Sequence, residues 1–270
     1  MKAEKVLFIT QEVAPYVEDG IMSQEGLDFP QYLTDNGRSV RTFMPRWGSI
    51  NDRRHQLHEV QRLSGMNVII DDSDHTLVIK VASIPQTRAQ VYFIDNDDYF
   101  HKREMLLDEA GEPYEDNAER AIFFARGVLE TVKKFRWIPD IIHCNGWATL
   151  FAPLYVRTAY RDDPPFATPR IVFSLYDDVP EALPGLELAK LVRYRSLNER
   201  VLRNAGFSLK GNVALRQILL TYCDAFIEAR PGVAPELLKA AREKGKPVLE
   251  YREDLSYADK ADFFESLIND

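Results

Sequence analysis

The sequence DIIHCNGWAT at residues 140–149 ends an apolar run with side chains that could bind a ligand. An apolar run that breaks into a polar loop predicts a buried strand whose carboxyl end meets a ligand site. His143 could contact a ligand hydroxyl, although a histidine hydrogen bonded within the core is the preferred interpretation. Trp147 could stack on a ligand ring, but packing against the following helix is preferred. For Asn145, ligand contact and a structural role are equally open.

Three further groups of titratable residues could carry acid–base or metal chemistry. They are Asp95, Asp97 and Asp98; Asp177 and Asp178; and His55 and His58. Turn residues after strands explain the two carboxylate groups, and a solvated polar segment explains the histidine pair. The cysteines, Cys144 and Cys223, have no metal-ligand spacing, and Cys144 has no histidine partner in a nucleophile arrangement. We therefore assign no catalytic residue and no metal site.

Strands and helices alternate along the chain. Continuous apolar runs predict strands at 5–10, 39–47, 138–144, 169–176 and 224–229, and periodic segments predict helices at 29–37, 116–135, 148–160, 186–204 and 212–221. Three closely spaced strands at 66–71, 76–85 and 89–95 predict an antiparallel meander or hairpin attached to the sheet. The fold class is thus α/β, a doubly wound, mostly parallel Rossmann-like sheet with helices on both faces.

The predicted domain comprises residues 1–250, followed by a tail at 251–270. The tail has apolar residues at helical spacing from 257 to 268, which predicts an amphipathic helix that packs back on its own domain.

In such a sheet, ligands bind beyond the carboxyl ends of the strands, in loops 11–28, 143–148 and 175–185. Loop 11–28 is long for a connection between a strand and a helix, which is typical of a functional loop. It contains Gly20 and Gly26 but no G-x-G-x-x-G motif, and its charged residues are acidic. The loop is therefore poorly suited to bind a pyrophosphate.

The overall composition narrows the function classes. With 45% apolar residues in 270, the chain can bury a full core, and 42 acidic against 34 basic residues give a net charge of −8. This charge disfavours a nucleic acid partner. The sequence has no targeting segment and no run of about 20 apolar residues, so we expect no membrane association and a cytoplasmic location.

Several segments, in order, resemble the N-terminal part of bacterial glycogen synthases and plant starch synthases. KVLFITQEVAPYVEDG resembles a strand followed by S-E-x-x-P and K-x-G-G-L, and GRSVRTFMPRWGSI resembles G-H-x-V-R-x-x-x-P-x-Y-G-x-I. VYFIDNDDYFHKR, DNAERAIFFARGVLE, WIPDIIHCNGWAT and PGVAPELL each resemble a further family segment. The resemblance covers roughly residues 5–240.

The resemblance implies glycosyltransferase family five with the GT-B fold. Members are retaining enzymes that move glucose from a nucleotide sugar, usually ADP-glucose, to the end of an α-1,4-glucan, without a metal or other cofactor. Their N-terminal domain mainly holds the acceptor and their C-terminal domain the nucleotide sugar. The chain resembles the acceptor-side domain, and a second domain would need roughly 200 further residues.

The matched motifs differ from the family at positions that act on substrate. Glu18-Asp19-Gly20-Ile21-Met22 replaces K-x-G-G-L, so a carboxylate stands where the family has a lysine. His143-Cys144-Asn145-Gly146-Trp147-Ala148 replaces H-x-H-D-W-H, and Phe173-Ser174-Leu175-Tyr176 replaces T-x-H-N. The candidate substrate-binding residues are Gly20, His143, Asn145, Trp147 and Tyr176.

Two functions follow. The preferred one is a degenerate synthase domain that binds glucan, a nucleotide sugar, a protein partner or a second copy of itself. The alternative is the acceptor-side subunit of an ADP-glucose-dependent glucan synthase that a separate chain completes. Because loss of one transition-state donor alone costs about 10²–10³ in rate, the departures favour the first.

Overall fold

The apolar run Lys5–Thr10 forms strand β1 at the centre of a mixed sheet. The computed structural model describes residues 3–85, 87, 89–180, 187–207 and 215–269. The other strands are β2 (Ser39–Pro45), β3 (His58–Glu59), β4 (Met66–Ile70), β5 (Ser73–Ser83), β6 (Gln90–Asp95), β7 (Ile141–Asn145), β8 (Arg170–Leu175), β9 (Ala225–Glu228) and β10 (Val248–Leu249).

The sheet runs in the order β10-β9-β8-β7-β1-β2-β6-β5-β3, and its pairings from β10 to β6 are parallel. Strand β5 pairs antiparallel with β6 and β3, and it forms a hairpin with β4 through the register Ile70↔Ser73. The prediction of a doubly wound, mostly parallel sheet with an attached meander is confirmed. Strand β3 was not predicted, because its two residues are both polar and exposed and show no alternation of apolar and polar side chains.

Helices cover both faces of the sheet. They are α1 (Ser23–Asp35), α2 (Asn117–Phe135), α3 (Ala152–Arg157), α4 (Leu188–Leu191), α5 (Glu199–Asn204), α6 (Leu215–Tyr222), α7 (Pro235–Glu243) and α8 (Tyr257–Asn269). The predicted helix at 116–135 agrees with α2 within one residue. The starts of the predicted helices at 186–204 and 212–221 lie outside the described residues.

Three helix predictions differ from the structure. Helix α1 begins six residues before the predicted start at 29, so the loop after β1 ends at Met22. In place of the predicted helix at 148–160, the structure has a 3-10 turn at Trp147–Thr149 followed by the short helix α3. The predicted helix at 186–204 is broken between α4 and α5 by a turn in which Tyr194 and Leu197 pair. Helix α7 was not predicted.

The core has two parts, one on each face of the sheet. The larger contains most of helix α2, and the smaller lies between the sheet, α1 and α8. In the smaller part, Phe29 stacks on Tyr257 at 5.5 Å and contacts Phe264 at 5.6 Å between ring centroids. Helix α8 is therefore packed against α1, while the boundary at residue 250 stays a prediction. Among the described residues, none of the helices could cross a membrane.

Candidate functional site

The carboxyl ends of β1, β7 and β8 lie side by side. Asn145 pairs in register with Thr10 on one side and with Ser174 on the other. The loops that follow these three strands meet at this edge, as expected for a parallel sheet. The structure thus brings His143, Asn145, Trp147 and Tyr176 to two neighbouring strand ends.

His143 lies in the core of the domain. It is fully buried, and a 2.7 Å hydrogen bond joins its Nε2 to Ser174 Oγ. Its ring makes edge contacts with Phe8, Phe264 and Phe29 at centroid distances of 4.9, 5.2 and 5.8 Å. These aromatic rings surround the imidazole, so His143 cannot reach a ligand at the sheet edge without a rearrangement of the core.

The electrostatic environment of His143 keeps it neutral. Burial lowers the pKa of the imidazole well below its ordinary value, and the positive charge of Lys260 lowers it further. A neutral histidine with one nitrogen bound to Ser174 can neither supply a positive charge to a phosphate nor act as an acid near pH 7.

Gly20 lies against a buried carboxylate. A Cβ atom at residue 20 would come within 1.9 Å of Glu12 Oε2, so a larger residue there would require the Glu12 side chain to move. The same oxygen accepts hydrogen bonds from Met22 N–H at 3.1 Å and from Ser23 Oγ at 3.2 Å, while Oε1 accepts from Gln11 at 3.1 Å. Glu12 therefore shapes the first loop and occupies the start of α1, where an anionic ligand would otherwise meet free N–H groups.

Trp147 is buried against a second tryptophan. Its ring centroid lies 6.1 Å from that of Trp47, whose indole N–H donates to Gln11 O at 2.7 Å. The preceding Gly146 has φ +88°, and a Cβ there would come within 2.3 Å of Gln11 Oε1. The indole of Trp147 is 1% exposed and offers no face to a ligand.

Asn145 and Tyr176 are also buried at this edge. Neither polar atom of the Asn145 amide has a hydrogen-bond partner among the described residues. Burial raises the pKa of the Tyr176 hydroxyl well above its ordinary value, and the negative charge of Glu25 raises it further. The substrate-binding roles of these residues stay predictions.

Lys260 and Glu25 form a buried ion pair beside this edge, which the sequence did not predict. Their Nζ–Oε1 distance is 2.6 Å, and their side chains are 6% and 17% exposed. Lys260 Nζ also lies over the rings of Phe29 and Tyr257, within 5.8 Å of each centroid. The only signal in the sequence was a lysine between Tyr257 and Phe264, on the apolar face of the tail helix.

Asp178, one of the candidate carboxylates in the sequence, is a further residue of this edge. Its Oδ2 accepts the Trp147 backbone N–H at 2.8 Å, and its Oδ1 is buried without a described partner. Burial raises the pKa of this carboxyl to about 6, although hydrogen bonds from backbone N–H groups oppose the increase. The sequence favours a turn residue at this position, and only the tertiary structure places its carboxylate against the backbone of Trp147.

We expect Asp178→Asn to change how stability depends on pH. The folded-state pKa of about 6 lies above the usual value of about 4. The free energy of unfolding of the wild type therefore decreases as the pH rises from about 4 through 6. Between pH 4 and pH 7.5, the variant should gain about 2 kcal/mol relative to the wild type in urea unfolding. The exposed neighbour offers a control, Asp177→Asn, and a pH-independent difference for Asp178→Asn would contradict the prediction.

Several of the other candidate groups are held in protein contacts or buried. Asp95 pairs with Lys80 at 2.7 Å, and Asp98 with His75 at 3.2 Å. Burial raises the pKa of the Cys144 and Cys223 thiols far above their ordinary values. Over the described ranges, no three histidine, cysteine or acidic side chains are grouped to hold a metal ion.

The sheet order and the strand-end site define a Rossmann-like α/β domain. The family model for the starch synthase catalytic domain matches residues 5–250, and the chain belongs to this family. The resemblance to glycogen and starch synthases is therefore confirmed.

Individual relatives support the same assignment. The chain is 37% identical over 174 residues to a glycogen synthase of Chlorobium luteolum. This match covers 64% of this chain and 36% of that protein. The chain is 40% identical over 160 residues to a glycogen synthase of Chlorobium phaeovibrioides, covering 58% of this chain and 32% of that protein. The matched part thus spans about a third of the length of these curated relatives.

A solved structure has the same fold. The catalytic domain of starch synthase IV from Arabidopsis thaliana, bound to ADP and acarbose, superposes with a TM-score of 0.71 at 16% identity. The superposition covers 93% of this chain and 51% of that one.

Proposed function

We propose that this domain binds α-glucan and does not itself transfer glucose. The observation that carries the proposal is the filled strand-end site, in which His143 is enclosed by aromatic rings and bound to Ser174. The resemblance implies that family members bind substrate at the corresponding strand ends. Here His143 is held by Ser174 inside an aromatic enclosure, so it is not free to stabilise a reacting sugar.

The charges at the first loop support the proposal that the domain does not transfer glucose. Glu18 stands where the resemblance gives a lysine, and it pairs with exposed Arg54 at 3.1 Å. The carboxylate of Glu12 lies against Gly20 and takes the N–H of Met22. A nucleotide diphosphate brought to this loop would meet the carboxylates of Glu12 and Glu18, and Arg54 is already paired with the latter, which opposes the electrostatic stabilisation that glycosyl transfer needs.

Family membership supports glucan as the ligand. The curated relatives are named glycogen synthases, and the superposed starch synthase is bound to acarbose, a sugar analogue, as well as to ADP. A protein partner or a second copy of the chain is the other non-enzymatic ligand that the sequence predicts. Because activity depends on particular side chains and not on the fold, a domain of this fold can still bind glucan after the side chains that act on it have been replaced.

Two measurements on the purified chain test the proposal. In native gels that contain glycogen, we expect retarded migration relative to glycogen-free gels and to gels with dextran. With labelled ADP-glucose and glycogen, we expect no incorporation above a protein-free control. Unchanged migration would remove glucan as the ligand and leave a protein partner, whereas incorporation at the rate of a complete synthase would refute the loss of transfer.

The second candidate function is the acceptor half of a glucan synthase that a separate chain completes. It is favoured by the unsatisfied polar atoms at the strand ends, on Asn145, Trp147 and Asp178. Buried polar groups without partners are uncommon and mark places where a ligand or water binds. Adding the isolated nucleotide-sugar domain of a complete glycogen synthase discriminates the two functions, because only this one predicts that incorporation then appears.

A further inference from the structure

A cavity of about 400 Å³ lies between the C-terminal segment and the start of α1. Its charged and aromatic lining residues are Glu25, Tyr251, Arg252, Glu253, Tyr257 and Lys260. This volume is within the range of small-molecule sites. Of these six residues, only Glu25 lies in the segment that matches the family, which ends at residue 250. The cavity is therefore a feature of this chain's own C-terminal segment.

The two cations that line the cavity are held in ion pairs. Lys260 is 5% exposed and pairs with Glu25. Arg252 pairs with Asp259 at 2.6 Å and with Asp254 at 3.3 Å. Because Lys260 and Arg252 are already held in ion pairs, a ligand would have less of the lining to order, which reduces the entropic cost of binding.

The charge balance of the cavity disfavours an anionic ligand. Two cations and two carboxylates line it, and Asp254 and Asp259 add two carboxylates around Arg252. A phosphate would have to displace a carboxylate from each cation. Paired charges instead offer hydrogen-bond donors and acceptors next to each other, which is the arrangement that vicinal hydroxyl groups require.

Two tyrosines add apolar surface to this polar lining. Tyr251 is 36% exposed, and Tyr257 is half-buried and stacks on Phe29. The C–H faces of a sugar ring pack on such aromatic faces, while the ring hydroxyls bind the adjacent charged groups.

We infer that this cavity binds a neutral sugar, a mono- or disaccharide unit of an α-glucan, with Tyr251 as the stacking ring and Glu253 as a hydroxyl acceptor. The inference rests on the proposed glucan-binding function and gives it a location. The cavity lies beside the edge at His143, with Lys260 and Glu25 between them, and most of its lining comes from the C-terminal segment.

The test uses isothermal titration of the full chain with maltose, and with ADP and inorganic phosphate as anionic probes. We expect maltose to bind and the two anions not to bind. Tyr251→Ala should weaken maltose binding about tenfold, and Tyr251→Phe, which keeps the ring, should stay within about twofold. Glu253→Gln should weaken binding, whereas Glu243→Gln, an exposed glutamate at the end of α7, should not.

The results of these measurements distinguish failure of the cavity site from failure of the proposed glucan binding. Thermal unfolding of the variants checks that Tyr251→Ala still folds, and the Glu253→Gln result does not depend on that variant. If the chain is retarded by glycogen but maltose binding is absent or insensitive to Tyr251 and Glu253, the cavity is not the site and the proposed function survives. If glycogen has no effect either, both fail. If ADP or phosphate binds in a manner that depends on these residues, the neutral-sugar assignment is wrong.

Discussion

Lys260→Met is expected to lower the free energy of unfolding by about 3 kcal/mol at pH 7. The methionine would keep the packing of the lysine stem on Phe29 and Tyr257 but would leave the carboxylate of Glu25 without its cation. Removing one partner of a buried ion pair is costly because the remaining charge stays desolvated. Urea unfolding followed by circular dichroism measures the effect.

A double-mutant cycle separates the ion pair from the packing. Adding Glu25→Gln to Lys260→Met should restore most of the lost stability, because no unpaired charge then remains. The exposed Lys239, on α7, provides a matched control, Lys239→Met, with an expected change below about 0.5 kcal/mol. A loss below about 1 kcal/mol for Lys260→Met, or no recovery in the double variant, would show that α8 is not anchored by this pair.

Arg120→Met should lower the free energy of unfolding by about 3–5 kcal/mol. The guanidinium of Arg120 is fully buried in α2 and donates to three backbone carbonyls in the segment 99–105, at 2.6 to 3.0 Å. It also donates to Asn117 Oδ1 at 2.7 Å. Burial lowers the pKa of this arginine to about 10, and the charge of Arg103 contributes to the decrease.

The reason for the large effect is the number of acceptors that would lose their donor. Methionine fills much of the space but donates no hydrogen bond, so the carbonyls would stay buried and unpaired. Urea unfolding at pH 7 compares this variant with Arg200→Met, an exposed arginine on α5 that should change stability by less than about 0.5 kcal/mol. Equal losses for both variants would contradict the role given to Arg120.

Family membership and activity are separate conclusions for this chain. The match over residues 5–250 establishes the family, whereas activity depends on a few side chains at the strand ends. Those side chains, His143 and Trp147 above all, are buried within the domain. The glucan-binding function and the sugar cavity are proposals about this chain that the titrations and gels above can refute.

Much of the fold could be predicted from local sequence. Strands β1 and β8 were predicted within one residue at each end because strands buried on both faces are continuous apolar runs. Helix α2 was predicted within one residue because a 19-residue helix keeps its periodic pattern over several turns. The start of α1 was missed, because the group that receives its first N–H is Glu12, ten residues earlier in the chain.

The sequence by itself determined the family, the α/β sheet, the acidic first loop and the residue types at the strand ends. Only the tertiary structure decided what those residues can do. His143 is enclosed by Phe8, Phe29 and Phe264, the last of them 121 residues away on the tail helix. The pairing of Lys260 with Glu25, 235 residues apart, is equally long-range. Burial, pKa and access to ligand depend on such distant contacts, and local sequence patterns do not encode them.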